Sequence, residues 1–131
     1  MCFHISSKEF SDFVKKFAKI SPFLRISSKD ISVTFSVEEQ ATDAKLTFIH
    51  SDEKAKLEEG KCIQLETTRN NIDGVEYALK YLVWFSQAHV LSELILIKVS
   101  QNVPILFQFQ LKSNGSIQYY LAPKKKNDDE E

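Results

Sequence analysis

A repeated change in the spacing of apolar residues constrains the fold of this chain most strongly. From Lys8 to Ile20 the apolar side chains recur at helical spacing and fall within a stripe of about 120°. Ser6 or Ser7 precedes this stretch as an N-cap, with Glu9 in the first turn. The opposite side carries Lys8, Asp12, Lys15, Lys16 and Lys19. The pattern predicts a strongly amphipathic helix with a basic exposed face.

Alternating apolar and polar residues predict strands on both sides of that helix. The stretch from Ile31 to Val37 alternates without a fault, as a half-buried antiparallel strand does. The same reasoning predicts strands at 3–5, 23–26, 31–37, 44–50, 62–66, 93–99, 104–111 and 116–121. Between them, the segment from Ser51 to Gly60 is rich in charge, which predicts a solvated loop. The segment from Val75 to Ala88 has helical spacing and predicts a second helix.

The order of the predicted elements is a strand, a helix and three strands, followed by the same series again. This order indicates a twofold internal repeat of about 60 residues, visible in the pattern although not in sequence identity. Two helices of this length cannot cover both faces of about eight strands. We therefore predict an α+β fold, with two βαβββ repeats and both helices packed on one face of antiparallel sheets. The predicted boundaries are a single domain at 1–122 and a charged flexible tail at 123–131.

Length and composition are those of one compact domain. The chain has 131 residues, of which 43% are apolar, so disorder as the default state is excluded. No run approaches the roughly 20 apolar residues that would span a bilayer, and no apolar stretch of a secretory signal follows Met1. Cys2 and Cys62 do not suggest a disulfide framework. We therefore expect an intracellular domain with reduced thiols and no membrane partner.

The residue patterns that carry catalysis or metal binding are missing from this sequence. Its three glycines, at 60, 74 and 115, exclude a glycine-rich phosphate loop. The histidines at 4, 50 and 89 do not share metal-ligand spacing on one element. Neither thiol has a plausible neighbouring base in the sequence. We therefore expect no enzyme activity, no cofactor and no metal site.

The second half of the chain resembles a known protein family. The resemblance rests on the stretch Tyr77 to Phe85 (YALKYLVWF), on Asn102-Val103-Pro104, and on the ending Tyr119 to Lys124 (YYLAPK) before an acidic tail. These segments resemble the C-terminal domain of the proliferating cell nuclear antigen (PCNA) family of DNA sliding clamps. The first half is similar more loosely, through Glu9-Phe10, Lys29-Asp30 and Val33-Thr34-Phe35.

The resemblance implies a ring of clamp domains that encircles duplex DNA. In such a ring the helices line the central hole, so the basic helix face would contact phosphates without sequence preference. The residues implied as DNA-facing are Lys8, Lys15, Lys16, Lys19 and Lys80. Trp84 stands where the family has a phenylalanine, and we expect it to pack in the core. The implied partners are duplex DNA, DNA polymerase, PIP-box proteins, the clamp loader and other clamp domains or subunits, and the implied location is the nucleus.

Two binding surfaces on the outside of the ring also follow from the resemblance. The pocket that binds PIP-box peptides is matched by Pro104, Tyr120, Ala122 and Pro123. The strand that pairs with a neighbouring subunit is matched by Ala44, Lys45, Leu46, Thr47, Phe48, Ile49 and His50.

Three other positions are singled out by comparison with the family. Lys29 resembles the lysine to which ubiquitin is attached in eukaryotic clamps, after a one-residue shift of the alignment. Leu94 and Leu96 stand where the family has small polar residues, on the outward side of their strand. The resemblance does not account for these two leucines.

Two functions remain open at this point. The resemblance implies a sliding-clamp domain, which is a non-enzymatic processivity factor that recruits replication and repair proteins to DNA. The alternative is a stand-alone protein-interaction module with a clamp-like fold and no role on DNA. The chain itself would be either one domain of a longer clamp subunit or a natural one-domain clamp.

Overall fold

The computed structural model describes residues 1–67 and 71–125. These residues form two antiparallel sheets and three α-helices, which confirms the predicted α+β class. The strands are β1 (Cys2–Ser6), β2 (Phe23–Lys29), β3 (Ser32–Glu39), β4 (Thr42–Ile49), β5 (Gln64–Thr67), β6 (Val75–Ala78), β7 (Leu94–Lys98), β8 (Ile105–Gln110) and β9 (Ser116–Leu121). The helices are α1 (Ser7–Ala18), α2 (Lys54–Glu58) and α3 (Leu79–Ser86), and a 3₁₀ helix (Gln87–Leu91) follows α3.

The two sheets exchange strands between the two repeats. The five-stranded sheet has the order β5-β1-β7-β8-β9, and the four-stranded sheet has the order β4-β3-β2-β6. One βαβββ unit runs from β1 to β4 and the other from β6 to β9, with α2 and β5 between them. The first strand of each unit pairs with the strands of the other, since β1 pairs with β7 and β6 with β2. The two units therefore form one structure in which each completes the other's sheet.

The second unit begins differently from the prediction. The predicted helix over 75–88 is wrong at its start, because Val75–Ala78 forms β6 and pairs with β2. Val75 and Tyr77 are the buried residues of this short strand, and they have the period of two that a strand requires. The strand predicted at 62–66 does not open the second unit either. Its counterpart β5 pairs with β1 at the edge of the five-stranded sheet.

The segment from Ser51 to Gly60 is not a simple solvated loop. It contains α2, whose Leu57 is only 2% exposed, so that part of the prediction is wrong. The helix ends where Gly60 donates a backbone hydrogen bond to the Leu57 carbonyl and Lys61 to the Lys56 carbonyl. The charged residues of this segment lie on the exposed side of the turn, around one buried apolar anchor.

The core lies between the two sheets and the two longer helices. The α1 N-cap is Ser6, whose Oγ accepts a hydrogen bond from the Glu9 backbone N–H at 3.2 Å. From this start α1 directs Phe10 onto Phe107 of the five-stranded sheet, with ring centroids 5.4 Å apart. One turn further on, Phe13 packs on Phe35 of the four-stranded sheet at 4.8 Å. The helix α1 therefore bridges the two sheets.

The helix α3 packs beside α1, as the prediction of two helices on one face requires. Its Phe85 lies 6.1 Å from Phe107, the same ring that Phe10 of α1 contacts. Because α1 and α3 both contact Phe107, they lie on the same face of the five-stranded sheet. Among the helices of the described residues, none is long and apolar enough to cross a membrane.

Candidate nucleic-acid interface and peptide-docking corner

Four lysines of α1 and its C-cap form one exposed surface, which we call the α1 lysine face: Lys8, Lys15, Lys16 and Lys19. It runs for about 16 Å along the helix axis at about 1.5 Å per residue. No ion pair between described residues includes any of the four. Asp12 is the acidic residue within the face. Glu9 lies to one side of the face and packs against Gly60. A β-carbon added to Gly60 would lie 2.9 Å from the Cβ of Glu9.

The sequence folds α1 in a way that keeps these lysines outward. Phe10, Phe13, Val14 and Phe17 occupy the buried side and are at most 8% exposed. Lys15 and Lys16 lie in the last turn, where the partial negative charge of the helix C-terminus favours cations. The prediction of a basic exposed face on this helix agrees with the burial of its residues.

The exposed side of α3 is aromatic as well as basic. Leu79, Leu82 and Ser86 take the buried side, so Lys80 and Trp84 point away from the core. Trp84 is 67% exposed, and the expectation that it packs in the core is therefore wrong. Its ring meets that of Tyr81 edge-on, with centroids 6.1 Å apart, and the Lys80 Nζ lies 5.0 Å from the Tyr81 centroid.

The position of Trp84 could have been read from helical geometry. Trp84 lies about 140° around the helix from Leu79 at about 100° per residue, on the side opposite the two buried leucines. The comparison with a family phenylalanine obscured this signal. We call the exposed set on α3 the α3 aromatic face: Lys80, Tyr81 and Trp84.

The residues predicted for peptide binding lie together at one end of the β8–β9 pair. Leu106 pairs with Tyr120 and Ile105 with Leu121, so continuing the register places Pro104 opposite Ala122. Tyr120 is 64% exposed, and Pro104 and Ala122 are also exposed. Pro123 follows directly and is half-buried. We call this group the β8–β9 corner.

The β8–β9 corner is fastened to the four-stranded sheet by contacts that the sequence did not predict. The Lys124 backbone N–H donates to the Glu76 carbonyl at 2.8 Å, and the Lys124 Nζ lies 4.2 Å from the ring centroid of Phe23. The Tyr77 hydroxyl donates to the Val103 carbonyl at 3.4 Å, and burial raises the pKa of Tyr77 to about 12. Val103 beside Pro104 is 44% exposed and adds an apolar side chain to the corner, although the sequence analysis assigned it no binding role.

The strand β4 forms one edge of the four-stranded sheet. In the described part of the chain it pairs along its length with β3 alone, so its other edge presents unpaired backbone groups. This edge is closed at its end, where Ile63 donates to the Ile49 carbonyl at 3.3 Å and Ser51 donates to the Ile63 carbonyl at 3.0 Å. Of the residues matched to the subunit-pairing strand, only Ala44 to Phe48 therefore keep a free backbone edge among the described residues.

His50 has a structural role that the sequence did not predict. Its Nδ1 accepts a hydrogen bond from the Leu65 backbone N–H at 3.0 Å. Its Nε2 lies 3.2 Å from the Asp52 carboxylate, which places the proton of a neutral ring on Nε2. His50 therefore ties the end of β4 to β5.

Over residues 1–124 the chain matches the family described as Proliferating cell nuclear antigen, C-terminal domain. The match covers nearly all of the sequence, including both βαβββ units. The chain belongs to the proliferating cell nuclear antigen family. Membership of this family of sliding clamps agrees with the two antiparallel sheets and their strand exchange.

In this clamp domain, the residue proposed for ubiquitin attachment stands at a turn. Lys29 is exposed at the end of β2, where it pairs with Ser32 across the connection to β3. The turn residue Asp30 has a φ of 54°, and its backbone N–H lies 3.4 Å from the Asn71 side-chain oxygen. The Lys29 side chain is therefore accessible on a well-defined turn.

The clamp domain also has a groove on the face of the five-stranded sheet that is turned away from the core. Leu94 and Leu96 line it together with His4 and Gln108, and its volume is about 530 Å³. The two leucines that the resemblance did not explain therefore share one surface.

The two thiols of this clamp domain are less acidic than that of a free cysteine. Burial raises the pKa of the Cys2 and Cys62 thiols, which lowers the thiolate fraction at neutral pH. Within residues 1–67 and 71–125 no three His, Cys, Asp or Glu side chains are grouped as metal ligands would be.

Proposed function

We propose that this chain acts as one domain of a ring that encircles duplex DNA and keeps replication and repair proteins on it. Its mechanism is topological, and the domain is a scaffold without catalytic activity. The observation that carries the proposal is the α1 lysine face, whose four cations are exposed and without ion-pair partners among the described residues. The family membership supports the same function.

The α1 lysine face has the chemistry that sliding on DNA requires. A lysine ammonium is a strongly hydrated point charge on a flexible stem, so it attracts phosphates without fixing one geometry. Phosphate contacts carry no sequence information and weaken with salt. Asp12 reduces the positive potential of the face, and Lys80 on the neighbouring helix adds to it.

The β8–β9 corner is the proposed docking site for PIP-box proteins, including DNA polymerase. Two prolines hold the backbone of this corner in a fixed conformation, and the Tyr120 ring stands free beside them. A rigid apolar surface of this kind loses little conformational entropy when it binds a peptide with aromatic anchors. The clamp loader is proposed to act on the same ring.

The edge of β4 is the proposed contact with another clamp domain or subunit. Its unpaired backbone groups from Ala44 to Phe48 can extend the four-stranded sheet by one further strand. Nuclear localisation and attachment of ubiquitin at Lys29 complete the proposal and follow from the family alone.

The DNA contact is tested by charge reversal on the α1 lysine face. In Lys15→Glu plus Lys19→Glu, duplex affinity should fall steeply at about 50 mM salt, and the slope of log K against log salt should decrease by about 2. The matched control is Lys98→Glu plus Lys112→Glu. It makes the same change in net charge at exposed lysines of the five-stranded sheet and its β8–β9 turn, away from the α1 lysine face.

The comparison of the two double variants decides between the functions. A loss confined to the α1 variant supports the clamp. Unchanged duplex binding in the α1 variant, or an equal loss in the control, contradicts the DNA role and favours the stand-alone interaction module.

A further inference from the structure

The α3 aromatic face contains a tryptophan that neither the core nor sliding on duplex DNA explains. Trp84 is the only tryptophan of the chain, and 67% of its surface is exposed. Tyr81 stands beside it with ring centroids 6.1 Å apart, and Lys80 lies one turn away on the same side of α3. Two exposed aromatic rings and a cation therefore share one short helix face.

The flat surface of Trp84 has no counterpart on a DNA duplex. A duplex presents phosphates and groove edges, while the faces of its bases are stacked on one another. Unpaired nucleotides present both a phosphate and a free base face. Stacking of a base on an aromatic side chain stabilises such complexes and tolerates any sequence, because every base has a π-face.

An exposed tryptophan can bind either an apolar protein surface or a nucleic-acid base, and the charge around Trp84 distinguishes between these two partners. Lys80 lies over the Tyr81 ring, and the α1 lysine face is carried by the helix packed beside α3. An apolar protein surface would have to desolvate these ammonium groups, and lysine is depleted from the centres of protein interfaces. An anionic partner with flat apolar groups satisfies both features.

We propose that the α3 aromatic face binds single-stranded nucleic acid, with Trp84 stacking on an unpaired base and Lys80 beside it on a phosphate. The proposal rests on the proposed function in one respect, since both place the bound nucleic acid on the side of the domain that carries α1 and α3. It adds a second class of ligand, and it assigns Trp84 a role that α1 lysines cannot perform.

The single tryptophan provides a direct measurement. The chain is titrated with a thymidine oligonucleotide of about 20 nucleotides, and with a blunt duplex of the same length, at about 50 mM salt. We expect the single strand to quench the Trp84 emission in a saturable way and raised salt to reverse the effect. The duplex, which reaches Lys80 but offers no free base face, should quench the emission much less than the single strand does. Absence of quenching by the single strand, or equal quenching by the duplex, overturns the proposal.

Two substitutions separate stacking from charge. Trp84→Leu removes the aromatic face at an exposed position and should weaken oligonucleotide binding about tenfold, measured by anisotropy of a labelled strand. Trp84→Phe keeps a ring and should retain most of the affinity. Circular dichroism verifies that both variants fold. Oligonucleotide binding by Trp84→Leu equal to that of the parent contradicts the proposal.

The outcome is distinguishable from that of the duplex test. Loss of duplex binding in the Lys15 and Lys19 double variant concerns the proposed function alone, because that variant retains Trp84. Single-strand quenching without duplex binding would support the α3 aromatic face while contradicting the clamp.

Discussion

Phe85 on α3 and Tyr119 on β9 stack with ring centroids 4.4 Å apart and ring planes 12° apart. Each has a neighbour in sequence that points the other way, because Trp84 and Tyr120 are both largely exposed. The stack therefore anchors α3 to the five-stranded sheet and leaves one aromatic side chain free on each element. One of these lies in the α3 aromatic face and the other in the β8–β9 corner.

Removing the stack should destabilise the domain. Tyr119→Ala is expected to lower the free energy of unfolding by about 2 to 3 kcal/mol, because it removes the ring that packs on Phe85 and also meets Phe109 edge-on. The control Tyr120→Ala, on the exposed side of the same strand, should change it by less than about 0.5 kcal/mol. Urea denaturation measures the free energy of unfolding of both variants. An equal decrease in the two would show that the stack on Phe85 does not stabilise the domain.

Tyr120 should contribute to the affinity for peptides rather than to the stability of the domain. Tyr120→Ala is expected to weaken a PIP-box peptide about tenfold, since exposed aromatic side chains are frequent hot spots of binding energy. Fluorescence polarisation of a labelled peptide measures the effect. The control is Val90→Ala, which shortens another highly exposed apolar side chain outside the corner. Loss of peptide affinity in the control, or none in Tyr120→Ala, would place the docking site elsewhere.

The edge of β4 should cause association that depends on concentration. Thr47→Lys adds a charge at an exposed side chain within the open part of the edge strand, and it should reduce the mass measured by light scattering at high concentration. Ile31→Lys is the matched control, because Ile31 is 51% exposed but lies in the turn between β2 and β3. An equal reduction in both variants would indicate general charge repulsion rather than pairing at the edge.

Alkaline pH should destabilise the domain through Tyr77. Burial raises the pKa of Tyr77 from 10.0 to about 12, so the folded chain keeps a proton that the unfolded chain has lost. Its contribution to stability is complete below pH 10 and is lost as pH rises from 10 toward about 12, by roughly 2 kcal/mol. Tyr77→Phe should remove that part of the pH dependence. If the parent and the variant lost the same amount of stability between pH 10 and about 12, this account would be contradicted.

Local pattern predicted much of this fold, and its failures have physical causes. The strand at 31–37 and the helix α1 are found because each buries only one side, which leaves a clear period of two or 3.6. The strand β6 is missed because its pairing partner β2 lies some fifty residues earlier, and Val75 and Tyr77 lead directly into the apolar residues of α3. A period of two over four residues cannot be separated from helical spacing when a helix follows.

Sequence patterns predict the basic helix face of the candidate site better than they predict its two surfaces on the sheets. The α1 lysines follow from the helical period alone, because the face opposite the four buried apolar residues has to be exposed. The β8–β9 corner needs the antiparallel register that sets Pro104 beside Ala122, and no local signal contains it. The closure of β4 by Ile63 is likewise a contact between distant segments, so no local pattern in residues 44–50 predicts it.

The most direct test of the central claim is to map duplex DNA onto the isotope-labelled chain by NMR. The account predicts that the largest amide shift changes occur at the α1 lysine face and at Lys80, and that raised salt removes them. Lys98 and Lys112 should remain unaffected. Shift changes centred on those two residues, or none at low salt, would contradict the assignment of the helical side of this domain to DNA.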